Sequence, residues 1–199
     1  KGANHINQAY HYLCHLDNQL LGEASKEPLV ERTRWFMQDP WRKAKELAFE
    51  PELSVDGKYK GVQYPHYWFY KLDFVLWVQN RDRGRFWEDF RFTAKNSVEH
   101  ISPQQPRPED RDVVSRSRVN SFGSLVLVSR SINSEYSNLP FNEKKKRFDN
   151  KREYEKRPES LKMDLIYSNE NWGDVQAENH HKAMLTKLRA YYQYGFNDE

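Results

Sequence analysis

Val98-Glu99-His100-Ile101-Ser102-Pro103-Gln104 and, further on, Asn120-Ser121-Phe122-Gly123-Ser124-Leu125-Val126-Leu127-Val128 decide how the chain is read. Pro103 has no amide hydrogen to give and stops any strand that contains Val98 to Ile101. Neighbours on a strand point to opposite sides, so Glu99 and His100 diverge unless a loop or bulge turns both towards one point. Leu125 to Val128 is a run of apolar β-formers and reads as a second strand. Beyond it Asn133 carries an amide oxygen, a hard neutral ligand suited to Mg²⁺. Carboxylate, imidazole and amide together would make a one-metal site for phosphodiester hydrolysis, with His100 neutral and taking the proton of the attacking water.

The blocks, in this order, resemble the HNH (ββα-metal) nucleases. In particular they look like the family that forms the C-terminal domain of GmrSD-type modification-dependent restriction enzymes. That family's pattern is roughly Glu-His-Ile-x-Pro-Gln, then Gly-Asn-Leu-x-Leu, then Asn, then Ser-Asn-x-Pro-Phe with a Lys. Glu99 to Gln104 match the first element and Gly123-Ser124-Leu125-Val126-Leu127 the second. Asn133 is the third, and Ser137-Asn138-Leu139-Pro140-Phe141 with Lys144 the last. The departure is Ser124, where the family usually has Asn.

The resemblance implies Glu99 and Asn133 as ligands of Mg²⁺ or another divalent cation such as Mn²⁺, and His100 as general base. It implies Ser124, Asn120 and Asn138 as supporting residues. A hydroxyl lacks the reach of an amide, so either Asn120 takes the place of the family's Asn or activity is reduced. The implied substrate is DNA, cut by the effector part of a restriction or anti-phage defence protein. The implied partner is an N-terminal nucleotide-hydrolysing domain or subunit. No Gly-rich phosphate loop occurs in the chain, so hydrolysis of GTP or ATP is not expected of these residues alone. The alternative is a catalytically weakened DNA-binding module that keeps the nuclease fold, for which Ser124 is the hint. RNA stays open as a substrate, since such a site reads phosphate rather than sugar.

Composition sets the outer bounds. The 199 residues can bury a sizeable core, and 15% aromatic content is too much packing material for a disordered chain despite 31% charged residues. A net charge of only +3 announces no nucleic acid globally, so any such signal is local. It is found in residues 144–157, where eight Lys or Arg stand against three Asp or Glu. Lys144, Lys145, Lys146 and Arg147, with Arg118 and Arg130, are the candidate backbone contacts. The single Cys14 excludes an intrachain disulfide and fits a reducing compartment. No apolar run approaches the length of a membrane span, and a cytoplasmic location is expected. A start at Lys-Gly without Met suggests a piece of something larger.

The expected fold is α+β, mainly α. A small ββα-metal core over residues 85–157 lies between helical regions at 1–84 and 158–199. Apolar spacing of three and four predicts a helix over 4–22, and a second helix is expected over 29–38. Asp39-Pro40 reads as a cap and first turn opening another over 41–49. His11, Cys14 and His15 are read as core or boundary residues of the first helix, because a fourth metal ligand is not in sight. The stretch 64–80 is apolar nearly all round and predicts a buried central helix. Residues 86–93 lead into a first strand near 97–101, and the Pro- and charge-rich segment 104–118 is a loop facing DNA. Residues 131–150 are expected to provide the metal-site turn and a helix, 161–167 a short apolar segment and 175–192 a long helix. His180 and His181 on that last helix are read as structural or surface residues, since helix neighbours lie about 100° apart.

Overall fold

The computed structural model describes residues 2–43, 46–80, 83–155 and 158–194. They fall into two compact units, Lys1–Glu52 and Leu53–Glu199.

The first unit is helical. Helix α1 (Gly2–Asp17) runs into a π-helical turn at Asn18–Gly22, and α2 spans Leu29–Gln38. Tyr12 packs edge-on against Phe36, which is buried. The helix expected over 41–49 does not form at the described positions before Phe49, and residues 44 and 45 lie outside the described residues. Asp39 instead closes α2, its N–H on the Trp35 carbonyl, while its Oδ1 accepts from the Trp41 amide at 3.1 Å. The buried Gln19 donates through Nε2 to the carbonyls of Asp39, Pro40 and Arg42 at 3.1, 3.1 and 3.2 Å. Carbonyls that converge on one amide are turned away from the helical direction, and an Asx turn outcompetes the cap. A short helix, α3 (Phe49–Leu53), follows. His15 sits edge-on to Trp41, and no group of three or more His, Cys, Asp or Glu among the described residues could hold a metal ion.

In the second unit α4 (His66–Gln79) starts directly after Pro65, whose ring presets the entry angle. Trp68, Phe69, Leu72, Val75 and Leu76 are all buried, because α4 packs against α8 (Leu161–Tyr167), α9 (Asp174–Tyr194) and the second strand. Two charges are buried with them, each with a partner. Asp73 accepts from Ser160 Oγ at 2.9 Å and from the Lys162 amide at 3.1 Å, so a carboxylate meets the unpaired N–H groups opening α8. Lys71 Nζ donates to the Tyr191 hydroxyl of α9 at 3.1 Å.

The one-turn α5 (Arg85–Glu88) leads to β1 (Ser97–His100), which pairs antiparallel with β2 (Leu125–Val128). The register sets Glu99 opposite Val126 and His100 opposite Leu125. Helix α6 (Arg130–Tyr136) turns back against β1, and α7 (Phe141–Glu155) follows. All of β2 is buried. Val126 and Val128 join Ile132, Tyr136, Phe141, Phe148 and Tyr167 in one cluster, so Leu125 and Leu127 turn to the opposite face, where α4 lies. The described residues thus form a mainly helical α+β structure around one two-stranded sheet. No described helix is long and apolar enough to cross a membrane.

Candidate active site

Opposite residues of an antiparallel pair share a face, so β1 hands Glu99 to the side of α6 and α7 and His100 to the other. Glu99 is buried, and its Oε1 accepts from Lys144 Nζ of α7 at 2.7 Å. Lys144 is itself wholly buried and donates a second bond to the His100 carbonyl at 2.6 Å. Lys144 therefore does not meet a phosphate: its role moves from nucleic-acid contact to holding the carboxylate and the end of β1. Burial pushes the Glu99 carboxyl up to about 7, against the pull of the Lys144 ammonium.

His100 is turned towards the segment before β2. Its Nε2 lies 2.9 Å from the amide oxygen of Asn120. An oxygen acceptor there makes Nε2 the protonated nitrogen and leaves the lone pair on Nδ1. Burial lowers the His100 pKa, opposed by the Asn120 bond and aided by the Lys144 charge, so the ring is neutral at physiological pH.

Ser124 does not make this contact. It is fully buried, with its Oγ 3.5 Å from Ser121 Oγ, while its carbonyl accepts from the Ile101 amide at 3.0 Å. The amide that reaches the imidazole is Asn120. The turn Phe122–Ser124 between them is held from behind by the C-terminal helices. Buried Lys162 donates to the Phe122 carbonyl, and the Gly123 amide donates to His181 Nδ1 at 3.1 Å. Gly123 is needed for that approach: a Cβ on it would lie 2.5 Å from the His181 Cβ and 2.9 Å from the Ala177 carbonyl oxygen. Gly123→Ala is accordingly expected to cost about 2 kcal/mol of stability, read by urea unfolding, because two backbones would have to separate.

Asn133 stands in α6, the helix packed on β1, half-buried, and its side chain has no hydrogen-bond partner among the described residues. Asn138 clips the loop that follows His100: its Nδ2 donates to the Gln105 carbonyl at 2.6 Å and its Oδ1 accepts from the Gln105 amide at 3.2 Å. Ser137, between the two, closes α6 at φ +43°, a strained conformation for a residue with a side chain.

The basic run is largely spent on ion pairs. Lys145 pairs with Asp149, Arg147 bonds the Glu135 carbonyl, Lys151 meets Glu135 and Arg152 meets Asp164. Lys156 and Arg157 lie outside the described residues. Arg118 pairs with Glu178 at 3.0 Å, whereas Arg130 and Lys146 are exposed.

Two of the expected donors could still serve a hard divalent ion. Glu99 Oε2 takes no hydrogen bond from a described residue, and the Asn133 amide is uncommitted.

Sequence comparison bears on the same residues. The family model described as GmrSD restriction endonucleases, C-terminal domain, matches residues 52–187. No curated protein and no solved structure matches the chain.

Proposed function

The chain belongs to the family of GmrSD restriction endonuclease C-terminal domains, and from that premise we propose that it is an HNH-type, metal-dependent DNA endonuclease or nickase in which His100 is the general base. The observation that carries the reading is the 2.9 Å contact between His100 Nε2 and Asn120 Oδ1. The buried Glu99 at the neighbouring strand position leaves β1 on the opposite face, without the bulge that would turn both to one point. A neutral imidazole anchored through one nitrogen presents the other to a water. Glu99 and Asn133 would hold Mg²⁺ or Mn²⁺, which when bound supplies charge stabilisation to a phosphate and its leaving oxygen. Lys144 draws the Glu99 carboxyl back towards its ionised form against burial and bonds the His100 carbonyl, so one ammonium touches both neighbours. Asn138 holds the loop after His100 in place. Exposed Lys146 and Arg130 are the candidates left for phosphate contact, with DNA as substrate and a nucleotide-hydrolysing domain as the partner this module serves.

The test is relaxation of supercoiled plasmid by the purified chain with Mg²⁺, with Mn²⁺ and with EDTA. Nicking that needs the ion and disappears in EDTA supports the reading. DNA retention without nicking in either metal favours the weakened binding module for which Ser124 argues. Parallel assays on single-stranded RNA and DNA decide the sugar.

A further inference from the structure

The Asn120 side chain that meets His100 also lies against a residue far outside the nuclease motif. Gly61 opens a 3-10 turn (Gly61–Gln63) that packs against β1. Its amide donates to the Asn120 carbonyl at 2.8 Å, which fixes the Asn120 backbone. Its α-carbon lies flat against the Asn120 side chain: a Cβ built there would stand 3.0 Å from Oδ1 and 3.6 Å from Cγ. Gly61 also has φ +58°, a left-handed conformation that glycine adopts without cost and most side chains resist. The turn is tied down on its far side by Tyr64, which is buried and edge-on to Phe122 at 5.6 Å. One face of the Asn120 amide is thus closed by the Gly61 backbone, and its oxygen is left aimed at His100 Nε2.

We propose that Gly61 is a positioning residue of this site: its bare α-carbon and its N–H together hold the Asn120 amide in the orientation that selects the His100 tautomer with hydrogen on Nε2. The link to catalysis rests on His100 being the base, but the tautomer claim stands without it. A methyl at 61 pushes on Oδ1, so Asn120 must turn or retreat by a few tenths of an ångström. The imidazole then loses the acceptor that fixes it. Misplacement of a base on this scale costs about 10–100-fold in turnover, with substrate binding unaffected.

The experiment compares Gly61→Ala, Asn120→Ala and the double variant with the wild type. The His100 tautomer is read from its ¹⁵N imidazole shifts, and nicking is read in Mg²⁺. The wild type should show hydrogen on Nε2, and both single variants a mixture of tautomers. The double variant should lose no more activity than Asn120→Ala alone, since Gly61 acts through Asn120. If Gly61→Ala does not fold, Gly61→Asn, which tolerates the left-handed region, carries the same comparison. A wild-type tautomer retained in the Gly61 variant, or losses that multiply in the double variant, would overturn the proposal. Shifted tautomers in a chain that never nicks DNA would instead leave the positioning role standing and remove the nuclease reading.

Discussion

His100→Ala is expected to lower metal-dependent nicking by about 10²–10⁴-fold, the usual worth of a general base, and to leave DNA retention in EDTA unchanged. The expectation follows from where the ring is held. Nε2 is spent on Asn120, so Nδ1 is the nitrogen with a free lone pair. The lowered pKa keeps that lone pair available through neutrality instead of losing it near the ordinary histidine value. The His100 carbonyl is bonded to Lys144 through the backbone, which the substitution spares, so β1 and the Glu99–Lys144 pair should persist. Unchanged thermal unfolding in the variant would establish this. The decisive measurement is single-turnover nicking at saturating Mg²⁺ alongside a gel-retention titration. A loss smaller than about ten-fold would show that another group takes the proton, since it falls short of what a base supplies.

Much of the frame was legible because short-range patterns coincide with burial. Leu125 to Val128 has four apolar β-formers in a row, and its strand begins and ends there. Residues 64–80 are apolar all round, and α4 is buried against three elements. The helix expected over 29–38 is α2, with the same bounds. What escaped is tertiary. The helix expected after Asp39-Pro40 fails because Gln19, twenty residues earlier, claims the carbonyls it would need. Lys144 reads in sequence as one of the cations of a basic run, although a contrary signal is present. Phe141 and Phe148 are seven apart and both buried, and Lys144 falls between them on the inward stripe of α7. Gly61 could not have been found, since a glycine before a loop carries no mark of the side chain it will face. The pairing of His100 with Asn120 instead of Ser124 likewise depends on the Phe122–Ser124 turn, whose shape is set by Lys162 and His181 from the C-terminal helices.

The buried neutral histidines behind the Phe122–Ser124 turn make the fold sensitive to acid, and the expected loss is large. His181 is buried, and its Nδ1 must stay unprotonated to accept from Gly123. Burial first, then the Lys162 and Arg118 charges, lower its pKa from 6.5 to about 4, with Glu178 opposing. His180, edge-on to Trp172, is buried too, and desolvation, Lys162 and His181 hold its pKa well below the ordinary value. A histidine whose folded pKa is depressed contributes stability that is complete above the unfolded value and is lost as pH falls towards the folded one. For His181 the window runs from 6.5 down to about 4, so its contribution shrinks by about 2 kcal/mol at pH 5 and about 3 kcal/mol at pH 4. His180 adds in the same direction. Urea unfolding at pH 7.5, 6, 5 and 4 reads the effect. His181→Asn puts a non-titrating oxygen near the position of Nδ1, so the variant should keep the Gly123 bond and lose less stability between pH 6.5 and 4 than the wild type. Parallel losses in the two proteins would mean that His181 takes up its proton without disturbing the turn. The clamp behind Asn120 and His100 would then have to be held by Lys162 alone.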